Sequence, residues 1–462
     1  MVPLPYCITT LLLCLITAAA ATNIILTLPG YPEDTLPFHL ETGYIGVGED
    51  EQVQLFYYFV ESEGDPDEDP LVLWLTGGPG CSGFSGLVYE IGPLRFDISS
   101  LDGSFPRLIL NPYSWTKVAN IIFIDSPVGT GFSYATTPEG FTSSDTKATM
   151  DNYTFLKKWL SIHPRFIKNR LYIGGDSYGG KTVTLLALEI AMGNGGGLEQ
   201  RMNLQGYFIG NPKADEALDV NEKFPYAHRM SLISDEYFEL AKSSCNGNYS
   251  DQDTSSAECR YAIHLCGECT KNVNHAHILD PNCNLLSPKR DYIVEDDDPD
   301  DLLFMLKQEE QRCRNNNYSD SAVWANDQTV QEALYVRNGT IREWIRCNKS
   351  LSGYEINVAS VIQYHQMLNQ KGFQSLVYSG DHDMLVPYIG TIKWIRSLNL
   401  TVEDNWRPWT VDGQVAGYTE KYKNGEAYIT FATVKGAGHT APEYMPKQCL
   451  AMIKRWLSLF PL

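Results

Sequence analysis

The chain has 462 residues, 43% of them hydrophobic and 20% charged, and its 56 acidic side chains outweigh 36 basic ones for a formal charge of −20. That composition is too apolar for a disordered chain, and the acidic excess argues against nucleic-acid or anionic-membrane partners, which need a basic face to displace counterions. The length suits one large α/β core carrying an insertion, which leaves an enzyme acting on small molecules or peptides as the class to test.

The first 21 residues carry no charged side chain. An apolar stretch from Ile8 to Ile16 runs into Thr17, Ala18, Ala19, Ala20 and Ala21, small residues that fit a signal-peptidase site. It is shorter than the roughly 20 apolar residues that span a bilayer, so residues 1–21 read as a cleaved signal peptide and not as a membrane anchor. Of the 11 cysteines, Cys7 and Cys14 fall in that leader. The others, Cys81, Cys245, Cys259, Cys266, Cys269, Cys283, Cys313, Cys347 and Cys449, would meet an oxidising lumen, where most pair and an odd one stays free. Asn-x-Ser/Thr sequons at Asn152, Asn248, Asn317, Asn338, Asn348 and Asn399 agree with a secretory, glycosylated chain.

Gly43–Gly48 with Val53–Phe59 reads as an edge hairpin. Leu71–Leu75, Ile121–Ile124, Leu171–Ile173, Tyr207–Ile209, Ser375–Tyr378 and Tyr428–Val434 are short, uniformly apolar runs, each followed by a glycine-bearing turn. Such runs are strands buried on both faces, in a sheet covered by helices. Thr146–Ile162 and Lys181–Met192 carry helical patterns between strands, and Gly193–Gly197 reads as the loop ending the second. From Lys213 to Thr329 strand signals vanish, six cysteines gather, and helical pieces such as Asp235–Lys242 alternate with polar loops. Residues 213–329 therefore read as a helical, disulfide-bearing lid between core segments 22–212 and 330–462. Within it, Asp291–Asp301 (DYIVEDDDPDD) reads as an exposed acidic linker, a preferred place for nicking.

Gly175-Asp176-Ser177-Tyr178-Gly179 is a G-x-S-x-G pentapeptide placed between a strand and a helix. Glycine and serine frequencies of about 7% give roughly 0.2 chance matches in this length, so the setting carries the signal. A strand-to-helix turn forces the serine into a strained backbone with its hydroxyl exposed, and the helix N-terminus favours developing negative charge. An acid and then a histidine should follow along the chain. Asp381 and Asp383 compete for the acid after the strand Ser375–Tyr378, and the Gly-x-x-Asp spacing favours Asp383. His439 sits among glycines on the loop after the last strand, whereas His382 reads as an orienting or surface residue. The run Thr76-Gly77-Gly78-Pro79-Gly80 after Leu71–Leu75 offers backbone amides without bulky side chains, as an oxyanion hole needs.

The runs WLTGGPGCS (Trp74–Ser82), YEIGP (Tyr89–Pro93), SPVGTGFSY (Ser126–Tyr134), GDSYGG (Gly175–Gly180), GNP (Gly210–Pro212), YSGDHD (Tyr378–Asp383) and GAGHTAP (Gly436–Pro442) together resemble the serine carboxypeptidases. The resemblance implies an α/β-hydrolase fold, a Ser177–Asp383–His439 triad, and oxyanion amides from Gly78 and Tyr178. It also implies substrate contacts at Thr76, Gly77, Glu90 and Asp176, and disulfides Cys81–Cys347, Cys245–Cys259 and Cys283–Cys313. Peptidase members typically carry Asn and Glu where this chain has Thr76 and Asp176, and Glu-Ser-Pro where it reads Asp125-Ser126-Pro127. Those departures look like the plant serine carboxypeptidase-like acyltransferases, which move acyl groups from 1-O-acyl-glucose esters to alcohols or amines. Thr76 lacks an amide donor for a terminal carboxylate and Asp176 withdraws its acid by one methylene, a mismatch that can cost orders of magnitude in selectivity. Glu90 would neighbour Asp176 and share a proton with it below neutral pH.

The expectation is thus a cofactor-free acyltransferase, with a carboxypeptidase using the same triad as the near rival and a non-catalytic binding protein as the far one. Family members are often cut at the acidic linker, which implies two disulfide-joined chains, and the family implies the vacuole, with an extracellular destination the alternative. Cys266 and Cys269 with His275 and His277 have zinc-like spacing, but in a secretory chain a partner disulfide or free thiols is the preferred reading.

Overall fold

The computed structural model describes residues 22–97, 105–196, 201–250, 256–282, 314–351 and 353–462, with the backbone alone for 314–317. The leader, the acidic linker, Cys283, Cys313 and the Asn317 side chain lie outside the described residues. Twelve strands form one sheet. Its centre is six parallel strands, in the spatial order Asn120–Ile124, Leu71–Leu75, Leu171–Asp176, Leu204–Gly210, Gln374–Gly380 and Ala427–Val434. Val53–Val60, Leu40–Val47 and Thr22–Ile25 extend it antiparallel on one side, and Gln414–Asn424 and Thr401–Val411 on the other. The two-residue strand Tyr134–Ala135 pairs with Val53–Val60. This is the α/β-hydrolase architecture.

Strand alternation explains why the central runs are apolar at every position. Leu71, Leu73 and Leu75 pack with Trp159, Leu186 and Ile190 on one face, while Val72 and Trp74 pack with Trp115, Phe208 and Trp456 on the other. The covering helices are cut to match. In Pro446–Leu457 the buried residues Cys449, Met452, Ile453, Trp456 and Leu457 recur at helical spacing and make one apolar stripe. Asp145–Ile162 starts at Ser144, whose hydroxyl accepts the Lys147 amide as an N-cap.

Strand order reverses between Leu71–Leu75 and Leu171–Asp176, so the connections leave those two strands in opposite directions. A crevice opens at their C-terminal ends, the place where open α/β sheets bind ligands. The two turns that meet there are Thr76–Gly78 and Ser177.

Several boundaries differ from the sequence reading. The Leu40–Val47/Val53–Val60 hairpin is not the edge, because Thr22–Ile25 pairs outside it. The helix over Gly179–Gly195 takes in Gly193 and Gly195, the first glycines of the stretch expected to form a loop, and Gly196 caps it; Gly197 lies outside the described residues. The hairpin Thr401–Val411/Gln414–Asn424 was not expected; its first strand is mostly exposed and shows no apolar run. Its turn was nonetheless written in the chain: Asp412 and Gly413 both take positive φ, 50° and 73°, the Asp-Gly signature of a tight hairpin.

Among the described residues, the helices Glu216–Asn221, Lys223–Arg229, Asp235–Ser244, Ala257–Thr270, Arg314–Asn326, Gln328–Ala333 and Ile362–Gln370 lie between Leu204–Gly210 and Gln374–Gly380. Cys245–Cys259 ties two of them together, and Cys81–Cys347 bridges positions 266 residues apart. Cys266 and Cys449 are buried and Cys269 is exposed. One glycosylation expectation fails on packing. Asn152 lies within Asp145–Ile162, is 1% exposed, and its Oδ1 accepts from Ser126 Oγ at 2.8 Å, so the fold leaves no room for a glycan there.

Candidate active site

Ser177 follows directly on the strand Leu171–Asp176 with φ of +53°, a left-handed conformation that an L-residue holds only under constraint. The constraint is visible: its N–H donates to the Gly210 carbonyl, and its own carbonyl accepts from Gly180 and Lys213. The turn points the side chain out of the sheet, where Ser177 Oγ lies 2.7 Å from His439 Nε2. His439 Nδ1 lies 2.8 Å from Asp383 Oδ2. Burial alone would lower the imidazole pKa, but the Asp383 charge and hydrogen bond reverse this and hold it above its ordinary value.

Asp383 is fully buried and surrounded by donors: Oδ1 takes the Leu385 and Val386 amides, and Oδ2 takes Asn211 Nδ2 at 2.7 Å as well as His439. Asp381 faces elsewhere. Its Oδ1 meets His382 Nδ1 and the Gly436 amide, and its side chain is 30% exposed. The structure thus brings Asp383, not Asp381, against His439.

On the other side of Ser177 the Thr76–Gly78 turn presses close. A Cβ on Gly77 would come within 2.6 Å of Ser177 Cβ and 2.9 Å of the Tyr178 nitrogen, so only glycine lets the two turns meet. The Gly77 amide is tied to Asp176 Oδ1 at 3.2 Å. Tyr178 is anchored from below by a 2.6 Å hydrogen bond from its hydroxyl to buried Asp145. A hydroxyl, an imidazole and a carboxylate in a hydrogen-bonded line, with glycine-turn and helix-start amides beside the hydroxyl, can activate a nucleophile and hold an oxyanion.

Thr76, Gly77, Gly78, Glu90, Asp176, Ser177 and His439 line one cleft of about 300 Å³. A larger hollow of about 360 Å³ lies between the C-terminal residues and the Thr401–Asn424 hairpin, and it holds no nucleophile–base pair. Glu90 ends a π-helical turn, Gly86–Glu90, and takes a hydrogen bond from Trp74 Nε1 at 3.0 Å. Burial, then the charges of Asp176 and Glu443, push its carboxyl well above the usual range. Asp176 is raised as well, chiefly by burial, with the His439 charge opposing.

The sequence reading missed three further residues of this cleft. Tyr318 donates to Glu443 at 2.9 Å, and Arg346 lies 3.9 Å over the Tyr318 ring, all three facing the cleft. It also missed Asn211, whose side chain holds Asp383; its φ of +43° after a strand was the one local sign. Ala276 lines the cleft too, and its carbonyl accepts the His439 amide at 2.6 Å. Among the described residues no three His, Cys, Asp or Glu side chains are grouped to hold a metal ion: Cys266 Sγ turns to the Tyr237 carbonyl, His275 to the Thr270 carbonyl and His277 to the Gly436 carbonyl, and Cys269 is exposed.

Solved structures repeat this architecture. A prohormone-processing carboxypeptidase from Saccharomyces cerevisiae superposes with a TM-score of 0.73, covering 94% of each chain at 20% identity. Sequence relatives are nearer: serine carboxypeptidase-like 13 of Arabidopsis thaliana is 46% identical over 95% of both chains. Serine carboxypeptidase-like 17 of the same plant is 45% identical over 98% of this chain and 97% of its own. A profile of the serine carboxypeptidases matches residues 29–459, so the protein belongs to the serine carboxypeptidase family.

Proposed function

We propose that this family member is a serine acyltransferase, moving an acyl group from a 1-O-acyl-glucose ester to an alcohol or amine. Ser177 Oγ attacks the ester carbonyl as His439 Nε2 takes its proton, and the oxyanion rests on the Gly78 and Tyr178 amides. The bond from the acyl carbon to glucose O1 breaks, and His439 returns the proton to that oxygen. The acceptor then loses its proton to His439, attacks the acyl-enzyme, and Ser177 leaves with the proton restored.

The observation that carries this reading over peptide hydrolysis is the state of positions 76 and 176. Thr76 Oγ1 is buried without a hydrogen-bond partner, and Asp176 is turned back onto the Gly77 amide. Both line the cleft, but Thr76 has no amide to donate to a peptide's terminal carboxylate, and Asp176 is engaged through Oδ1 by the Gly77 amide. One feature favours the carboxypeptidase as second reading: burial pushes the Glu90 carboxyl toward its protonated form, which could donate to a carboxylate.

Acyl-glucose with alcohol and amine acceptors, run beside a blocked dipeptide, separates the two. Thr76→Asn with Asp176→Glu is expected to raise peptidase activity and lower transfer, changing their ratio by about tenfold or more. A wild type that trims the dipeptide rapidly and only hydrolyses acyl-glucose replaces the transferase with the peptidase.

The same reading places the chain in the secretory pathway, with the vacuole as its destination, its leader removed and the acidic linker cut. Exposed Asn248, Asn338 and Asn399 suit glycans, and Cys81–Cys347 would hold the two cut chains together. An acidic lumen also suits the buried carboxyls. Burial raises Asp125 and Asp151 to about 6 and Asp219 to about 7, against about 3.9 for a free Asp. A carboxyl that binds its proton more tightly when folded contributes stability in full below about pH 4, and loses it as pH rises through about 6 to 7. His439, raised, acts in the same sense. Buried His365, pushed down to about 3, acts oppositely, losing its contribution as pH falls below about 6.5. Three carboxyls outweigh one imidazole. Thermal unfolding is therefore expected at higher temperature at pH 5 than at pH 7.5, and scanning calorimetry across that range checks it.

A further inference from the structure

The segment His275–Ile278 lies between the loop that carries Asp383 and the loop that carries His439, and is bonded to both. The His275 carbonyl accepts the Met384 and Leu385 amides at 2.9 and 3.1 Å, and the Ile278 amide donates to the His382 carbonyl at 3.1 Å. From the other loop, the His439 amide reaches the Ala276 carbonyl. These contacts are made by the backbone. One side chain joins them.

His277 is 6% exposed, and both its ring nitrogens are engaged. Nε2 lies 3.2 Å from the Gly436 carbonyl, which can only accept, so Nε2 carries the hydrogen. Nδ1 lies 3.3 Å from the Leu279 amide, which can only donate, so Nδ1 offers its lone pair. Asp280 Oδ1 lies 3.6 Å from Nδ1 as well. The ring stacks on His382, with centroids 5.4 Å apart and planes 8° apart, and on Tyr444 of the cleft wall at 4.8 Å. Its anchors are thus Gly436, three residues before His439, and His382, one residue before Asp383.

We propose that His277 is a positioning residue that sets the Asp383–His439 register from the insertion, so that the core triad is completed by a segment outside the core. The proposal rests on Ser177, His439 and Asp383 acting as a triad, not on which acyl acceptor is used. A chain segment that bridges both loops fixes their separation, and misplacement by about 1 Å can cost about 10²-fold in rate. Removing the ring leaves the Gly436 carbonyl and the Leu279 amide without partners and opens the stack against His382 and Tyr444.

The test separates alignment from binding and from folding. A fluorophosphonate is attacked by Ser177 Oγ; the O–P bond forms, fluoride leaves, and the serine proton passes to His439, with no acyl donor or acceptor needed. His277→Ala is expected to slow this labelling and the kcat of transfer together, by about 10-fold to 10²-fold, with KM for the acyl donor little changed. His277→Gln, which keeps an N–H and an accepting oxygen at similar reach, is expected to restore most of the rate. Circular dichroism and thermal unfolding confirm that each variant is folded, and the Gln variant keeps the test alive where Ala does not fold. A folded His277→Ala that labels at the wild-type rate overturns the proposal, as does a folded His277→Gln no faster than Ala. A wild type that does not label at all overturns the triad reading beneath it.

Discussion

Ser177→Ala is expected to lower the proposed acyl transfer by about 10⁴-fold or more while leaving thermal unfolding unchanged or slightly raised. The chemical half follows from the site: among the described residues no other hydroxyl hydrogen-bonds His439 Nε2, so none of them substitutes for the Ser177 oxygen. The structural half follows from the backbone. Ser177 holds φ of +53° through main-chain bonds to Gly210, Gly180 and Lys213, which Ala keeps, and the side chain loses one hydroxyl whose sole recorded partner is His439. His439→Ala is expected to cost nearly as much, and the double variant little more than either single one, because the residues act as a unit. Transfer assays on purified variants with a saturating acceptor measure this. Robust turnover by Ser177→Ala would sink the nucleophile assignment.

What the sequence made legible divides along a physical line. The parallel strands could be read because a strand buried on both faces is apolar at every position, as Leu71–Leu75 and Asn120–Ile124 are. The elbow could be read because a serine between small residues, after a strand and before a helix, has few other uses. The exposed strand Thr401–Val411 could not, since its pattern is set by solvent on one side and by a neighbouring strand that no local signal identifies. Tertiary partners were equally hidden. Asn211 and Asp383 are 172 positions apart, and His277 reaches Gly436 across 159, so their pairing appears only once the sheet brings the loops together. Asn152 fails as a glycan site for the same reason: a sequon reads three residues, and burial depends on which helix face meets Ser126.

The choice between two aspartates shows how much a hydrogen-bond inventory adds to spacing. All four recorded partners of the Asp383 carboxylate are donors: the Leu385 and Val386 amides on Oδ1, and Asn211 Nδ2 and His439 Nδ1–H on Oδ2. Asp383→Asn must place its own NH₂ against one of these sets. Turned to the loop, it leaves two buried amides unpaired, at roughly 1–3 kcal/mol each. Turned to His439, it forces the imidazole into the Nε2–H tautomer, which presents a hydrogen to Ser177 Oγ where the reaction needs a lone pair. The first orientation unsettles the loop that carries the acid and the second disables the base, so Asp383→Asn is expected to lower kcat by about 10⁴-fold with KM little changed. Asp381→Asn keeps an oxygen for the Gly436 amide and leaves the Asp383–His439 contact untouched, and its effect should be far smaller. Steady-state kinetics of the two variants side by side decide the matter. If Asp381→Asn proves the more damaging, His439 takes its orientation from the wrong neighbour in this account, and the triad must be redrawn through Asp381.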